Sequence, residues 1–167
     1  MLFFRREPII GHVAKVYLET SFFSACVSTR TTPKSVVWRD TSIEWWEKQA
    51  SGHELSISDE VVVELSDAEF PQSQVALEML RGLRLLELTL EARGLAKILV
   101  HEKVMPAPAV AGDAIHLAVA TIHRMDYVLT WNVRHMANPN KRIHFSTICL
   151  RLGFAPPQIV TPDLLEE

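Results

Sequence analysis

The chain has 167 residues, of which 48% are hydrophobic and 22% are charged, as expected for one soluble globular domain with a substantial core. The formal net charge of -3 argues against a generally basic nucleic-acid binder, without excluding a local basic patch. Cys26 and Cys149 fit neither a metal-binding spacing nor a disulfide framework, which favours a reducing, cytoplasmic location. No apolar run suits a secretory signal or a membrane span, so we expect no membrane partner.

Hydrophobic periodicity and turn residues divide the chain into alternating strands and helices. We expect residues 1–12 to be a loose extension and residues 13–167 to form a single domain. The predicted strands are residues 13–18, 53–58, 83–88 and 127–131, and a last strand and a short helix lie within 158–167. The other predicted helices are residues 22–28, 32–50, 60–70, 72–81, 89–104, 109–124 and 141–153. This alternation predicts an α/β sandwich with a mainly parallel sheet.

Ligand sites of such sheets lie beyond the carboxyl ends of the strands, and polar residues occupy those positions here. Glu19 follows the first strand, Glu64 lies in the helix after the second, and Asn132 follows strand 127–131. Asp113 lies near the start of the apolar helix that leads into that strand. Each has an ordinary structural explanation as a helix cap, as a partner of the helix dipole or as a solvated rim residue.

Two of these acids are predicted to border buried surfaces. Glu64 shares one helical face with Val61 and Leu65, and the helix behind Asp113 is apolar nearly all round. Carboxylates that converge in such places repel one another unless a divalent cation lies between them. Oxygen ligands of this kind select Mg²⁺ or Mn²⁺, which suits phosphoryl chemistry.

Four segments resemble the PIN-domain ribonucleases, and most closely the VapC-type toxins of toxin–antitoxin pairs. These segments are VYLETS, SISDEVVVELS, AGDAIHLAVATIHRMDYVLTWNVRHMAN and IVTPDLL, and the resemblance covers roughly residues 14–165. It implies a PIN-like three-layer α/β/α sandwich and a cytoplasmic endoribonuclease that depends on Mg²⁺ or Mn²⁺. It also implies an RNA substrate, a cognate antitoxin and a homodimer. Residue by residue, the acidic positions of the family fall on Glu19, Glu64, Asp113 and Asn132, which the resemblance implies as the catalytic residues, with Glu19, Glu64 and Asp113 as the metal ligands.

Two of these positions depart from the family pattern. Glu19 stands where the family usually has Asp, and Asn132 stands where Asp is frequent. An alternative function is therefore a non-catalytic PIN-like domain that binds RNA or protein through a degenerate acidic site. A third class, another metal-dependent phosphoryl hydrolase, would normally carry a D-x-D motif after the first strand, and the sequence LETS lacks one.

Other polar residues are predicted to assist the acids or to contact the substrate. His116 is expected to be a buried histidine beside the site rather than a metal ligand, whereas His123 and His135 are expected in loops or on the surface. Trp131 is expected to pack in the core rather than to stack on a base. The full set of expected supporting or substrate-binding residues is Thr20, Ser21, His116, Thr130 and Arg134.

Charge and aromatic residues suggest where partners bind. Residues 127–162 contain no acid and four basic residues, which fits either a phosphate-binding groove or ordinary solvated helices. The four are Arg134, Lys141, Arg142 and Arg151. Segment 36–46 contains three tryptophans, which fits either core packing or, by the resemblance, contact with an antitoxin.

Overall fold

The computed structural model of the protein describes residues 13–166, so the prediction for residues 1–12 lies outside the described residues. The strands are β1 (Lys15–Leu18), β2 (Glu54–Ser58), β3 (Arg84–Leu86), β4 (Tyr127–Leu129) and β5 (Gln158–Val160). The helices are α1 (Thr20–Cys26), α2 (Pro33–Lys48), α3 (Asp59–Leu65), α4 (Ser73–Met79), α5 (Leu90–His101), α6 (Asp113–Ile122) and α7 (Pro139–Arg151). Short 3-10 turns follow at Ala50–Gly52 and Pro162–Leu164.

The predicted elements all form, but several end earlier or begin later than predicted. Helix α3 ends at Leu65 rather than at residue 70, because the Ser66 hydroxyl and N–H both bond to the Val62 carbonyl and the chain then turns. Helix α6 begins at Asp113 rather than at residue 109, because Gly112 before it has a φ of 73°, which a helix does not accommodate. The amphipathic pattern thus predicted the helices, whereas local capping determines their ends.

The five strands form one parallel sheet in the order β3-β2-β1-β4-β5. Crossovers between parallel strands are right-handed, so the helices between β1 and β3 cover one face and those between β3 and β5 cover the other. Helix α1 accordingly packs on α2, α3 and α4, while α5 packs on α6. The PIN-like α/β/α sandwich is therefore confirmed.

The core centres on the inner strands, β1 and β4, and on α6. Tyr17 of β1 and Leu129 of β4 are fully buried, as are most side chains of α6. The connections from β1 and β4 leave in opposite directions, which opens a crevice at the carboxyl ends of these two strands. In the part of the chain that the structure describes, no helix is long and apolar enough to cross a membrane.

The tryptophans of α2 divide between the core and a half-buried surface. Trp45 is buried, and its indole N–H donates to the carbonyl of Leu165 at 2.7 Å. Trp38 is half-buried and stacks on Trp131, with ring centroids 4.8 Å apart. Trp131 is buried, and its indole N–H donates to the buried hydroxyl of Ser42 at 2.7 Å, which confirms its packing role. Core packing therefore explains Trp45 but leaves part of Trp38 accessible.

Candidate functional site

Glu19 lies where β1 ends and α1 begins, and it is only 4% exposed. Its Oε2 accepts hydrogen bonds from the Thr130 hydroxyl at 2.7 Å, from the Ser21 N–H at 3.1 Å and from the Ser21 hydroxyl. The Thr130 hydroxyl itself accepts from the Asn132 N–H at 2.9 Å, and the Ser21 hydroxyl accepts from the Trp131 N–H at 2.8 Å. Glu19 therefore caps α1 and is a fixed carboxylate at the crevice. Its Oε2 accepts three hydrogen bonds, whereas its Oε1 accepts none among the described residues.

Glu64 lies on α3, and Nε2 of His116 on α6 contacts its Oε1. The same nitrogen is 3.9 Å from Oε1 of Glu19. One potential ligand atom from each of these three residues lies within 4.8 Å of the others, which is close enough to share one metal ion. The sequence placed the two carboxylates together correctly, but it assigned His116 only a supporting part.

A chain of buried hydroxyl groups continues behind His116. Its Nδ1 is 2.7 Å from the Tyr17 hydroxyl, which is 2.6 Å from the Ser58 hydroxyl. Burial alone would lower the pKa of His116, but the hydrogen bond to Glu64 and the charge of Glu19 raise it above its ordinary value. Burial also raises the pKa of Tyr17 well above its ordinary value, so its hydroxyl keeps its proton at neutral pH.

Asp113 lies at the start of α6 and has different partners. Its Oδ1 accepts from Nδ2 of Asn132 at 3.1 Å, and its Oδ2 is 2.9 Å from Nδ1 of His135. Oδ1 of Asn132 in turn accepts from the His135 N–H at 3.0 Å, which fixes the orientation of this amide. Asn132 is therefore a turn former that also donates to Asp113, and its carbonyl oxygen is already occupied.

The start of α6 is held by a carboxylate of helix α3. Glu60 on α3 accepts a hydrogen bond from the Gly112 N–H at 2.7 Å. This bond connects α3, which carries Glu64, to the first turn of α6, which carries Asp113. It thereby fixes the relative position of the two acids across the crevice.

These groups line one pocket of about 790 Å³ at the carboxyl ends of β1 and β4. Glu19, Glu64, Asp113 and Asn132 all contribute to its wall, so the four acidic positions of the family pattern do converge. Thr20 also lines the pocket, and its buried hydroxyl has no hydrogen-bond partner within residues 13–166. The pocket therefore combines three carboxylates with a buried hydroxyl that an ion or a water could satisfy.

Basic and aromatic residues also line this pocket. Arg30, Lys34 and Trp38 line it, and the Lys34 ammonium lies 4.5 Å from the centroid of the Trp38 ring. A carboxylate cluster beside cations and an accessible indole suits a ligand that carries both phosphates and aromatic bases. These residues come from the α1–α2 connection and α2, where the sequence analysis did not expect a phosphate-binding surface.

The expected basic patch lies elsewhere. Lys141 and Arg142 donate to backbone carbonyls of Lys103 and Ile159, and Arg151 pairs with Glu102. Arg134 is exposed and is not among the described residues that line the acidic pocket. The basic residues of segment 127–162 therefore make local contacts around α7 or lie on the surface, and they do not line the acidic pocket.

Three residues around the acidic cluster were not predicted from the sequence to belong to the site. Tyr17 reads as an ordinary buried strand residue, and Glu60 reads as an exposed residue of α3. His135 was assigned to a loop, which is correct, but that loop follows β4 and so lies at the same sheet edge as Asn132. Position beyond a strand end was the feature that could have identified His135.

Comparison with known proteins supports the architecture through structure alone. No family model matches the chain, and no curated protein matches its sequence. VapBC2 from Rickettsia felis, solved bound to a DNA fragment from their promoter, is similar with a TM-score of 0.55 and 15% identity, covering 87% of this chain and 97% of that chain. VapC20 of Mycobacterium tuberculosis, a Sarcin-Ricin loop cleaving toxin, has a TM-score of 0.50 and 19% identity, covering 68% and 86%. FitAcB from Neisseria gonorrhoeae has a TM-score of 0.50 and 14% identity, covering 90% and 99%.

The similarity extends over most of this chain and nearly all of two of those chains. At identities of 14% to 19%, structural similarity supports a shared fold only, so the chemistry has to be argued from the site itself. The expected resemblance is confirmed at that level, and the chain has the PIN-like fold of VapC-type toxin structures.

Proposed function

We propose that the protein is a metal-dependent endoribonuclease that cleaves RNA phosphodiester bonds, and that it is the toxin of a toxin–antitoxin pair. The observation that carries this proposal is the group of Glu19, Glu64 and His116 at the crevice between β1 and β4, in which Glu19 and His116 are buried and Glu64 is half-buried. The donors fit a divalent cation, because Oε1 of Glu19 makes no hydrogen bond within residues 13–166 and the Thr20 hydroxyl has no partner. A divalent ion such as Mg²⁺ or Mn²⁺ would stabilise phosphate charge and activate a water.

The side chains of the pocket then have distinct tasks. Glu19 and Glu64 hold the ion, and Thr130 and Ser21 orient Glu19 through its saturated oxygen. Asp113 lies outside the group of three but on the same wall, where it adds negative charge for the ion and for water. Arg30 and Lys34 line the same pocket and would bind phosphates of the RNA backbone.

The experiment is RNA cleavage with Mg²⁺ or Mn²⁺ by the wild-type protein and by Glu19→Gln, Glu64→Gln and Asp113→Asn. Loss of an outer interaction at a metal site typically costs 10–100-fold, so we expect a loss of that size for Asp113→Asn, which removes a charge beside the ion, and roughly 100-fold or more for Glu19→Gln and Glu64→Gln, which remove a ligand. Glu78→Gln is the matched control, because Glu78 is exposed on α4 and does not line the pocket. Cleavage retained by a folded Asp113→Asn or Glu19→Gln protein contradicts the proposal.

Asn132 favours one alternative strongly enough to test it. It is uncharged, and its carbonyl oxygen is used by His135, so it supplies no fourth carboxylate. A protein that binds the ion and RNA but does not cleave would be a PIN-like binding domain. The partner part of the proposal is tested separately, by co-expression with the product of a neighbouring small open reading frame and recovery of an inactive complex.

A further inference from the structure

A buried nitrogen donor lies against the two carboxylates of the proposed metal site. His116 is fully buried, and its Nε2 faces both Glu64 Oε1 and, at 3.9 Å, Glu19 Oε1. We infer that His116 is a direct ligand of the ion, so that the centre has two carboxylates and one imidazole and prefers Mn²⁺ and later first-row metals to Mg²⁺. This inference rests on the proposed metal site but not on the cleavage of RNA.

The surroundings of His116 hold its ring in the form that a metal ligand needs. Metal-binding histidines almost always donate the N–H of their other nitrogen to an acceptor. The Tyr17 hydroxyl lies 2.7 Å from Nδ1 and can accept that N–H, while its own proton goes to the Ser58 hydroxyl at 2.6 Å. All three side chains are buried, so water does not compete for these bonds. With Nδ1 protonated in this way, loss of the Nε2 proton would leave a lone pair directed at an ion held by the two carboxylates.

The carboxylate side of the pocket is prepared in the same way. Oε2 of Glu19 is saturated by Thr130 and Ser21, while its Oε1 makes no hydrogen bond among the described residues. The side chain of Glu19 is 5% exposed, so this free oxygen has little access to bulk water. The Thr20 hydroxyl, which lines the same pocket, is buried and has no hydrogen-bond partner among the described residues. A buried acceptor without a donor is costly, and an ion with its water would satisfy both groups.

Asp113 does not complete an all-oxygen set. Both of its oxygens are used, by Asn132 at 3.1 Å and by His135 at 2.9 Å, and it lies outside the group of three ligand atoms. The third ligand nearest to Glu19 and Glu64 is therefore a nitrogen. Mg²⁺ requires oxygen ligands in near-ideal octahedral geometry, whereas imidazole suits transition metals, whose affinities rise from Mn²⁺ along the first row.

Pulsed electron paramagnetic resonance of Mn²⁺ bound to the full chain tests the nitrogen ligand directly. We expect modulation from a directly bound ¹⁴N nucleus in the wild-type protein. The modulation should disappear in His116→Gln and persist in His135→Gln, which is the matched control because His135 contacts Asp113 and not the group of three. If His116→Gln does not fold, the same measurement on His135→Gln protein labelled with ¹⁵N-histidine must show the isotope change.

Calorimetry with the metals alone tests the preference. We expect Mn²⁺ to bind roughly tenfold or more tightly than Mg²⁺, and His116→Gln to lose most of this difference. Equal affinities in the wild-type protein, no nitrogen modulation from bound Mn²⁺, or modulation that is lost in His135→Gln would each overturn the inference. A protein that shows the nitrogen ligand but cleaves no RNA would reject the nuclease and keep the mixed-ligand site, so the two failures are distinguishable.

Discussion

Thr130→Val tests whether the Thr130 hydroxyl orients Glu19 for metal binding. The substitution removes one hydroxyl and preserves the shape of the side chain. Thr130 is fully buried. Its hydroxyl donates to Glu19 Oε2 at 2.7 Å and accepts from the Asn132 N–H at 2.9 Å. The variant therefore loses one bond to a charged group and leaves one backbone N–H without its acceptor.

The expected loss of unfolding free energy follows from these two bonds. A hydrogen bond to a charged group contributes about 1.5–3 kcal/mol, and an unsatisfied buried donor costs about 1–3 kcal/mol. Glu19 keeps its two bonds from Ser21, and the terms are not additive, so we expect about 2–4 kcal/mol. A domain of this size typically has about 5–15 kcal/mol, so the variant should fold with a Tm lower by roughly 5–15 °C.

The functional effect should exceed what this loss of stability explains. Without Thr130, Glu19 can rotate away from the ion, and such outer-shell changes typically cost 10–100-fold in metal affinity. The assays are Mn²⁺ calorimetry and RNA cleavage well below the Tm of the variant. Thr121→Val is the matched control, because the hydroxyl of this buried threonine bonds to the Leu117 carbonyl within α6. Wild-type Mn²⁺ affinity in folded Thr130→Val protein would refute the role of Thr130 in orienting Glu19.

Three further predictions use other parts of the molecule. Burial raises the pKa of Cys26 to about 12 and that of Cys149 to about 11, so less thiolate is present at pH 8 than for a free thiol. Ellman's reagent should therefore react with both cysteines only after denaturation. Fast reaction of the native protein would contradict this burial. Trp38→Ala should weaken binding of single-stranded RNA, measured in EDTA, by about 1–3 kcal/mol, whereas unchanged affinity would exclude stacking on this indole. Light scattering well above micromolar concentration should find a homodimer, and a strict monomer would reject that expectation.

The order of strands and helices was predictable because it depends on repeated local patterns. The apolar run of α6 and the β-rich run of β1 each required only hydrophobic periodicity, and both form where expected. Convergence of Glu19 with Glu64 was predictable for the same reason, since carboxyl ends of parallel strands meet at one edge. Element ends were less predictable, because the end of α3 depends on one serine, Ser66, that bonds to its own helix.

The histidines of the site could not be assigned in the same way. His116 lies on a helix that is buried on nearly all sides, so periodicity gives no direction for its ring. Its partners come from β1 and α3, which are distant in sequence, and the pairing of β1 with β2 brings Ser58 within reach of the Tyr17 hydroxyl. The basic residues of the pocket could not be predicted for a similar reason. The turn after α1 brings Arg30 to the pocket, whereas α7 directs Lys141 to a backbone carbonyl.

Two histidines lie next to the carboxylates that were expected to need a metal ion. Converging carboxylates were expected to repel one another unless a cation lay between them, but each side of this pocket contains a histidine. His116 contacts Glu64 and lies 3.9 Å from Glu19, and His135 lies 2.9 Å from Asp113. Asn132 fits this arrangement, because its amide donates to Asp113 where a carboxylate at the same position would repel it. Protonated His116 and the proposed metal ion would therefore compete to balance the charge of Glu19 and Glu64, so Mn²⁺ binding should release a proton from His116 and weaken at acidic pH.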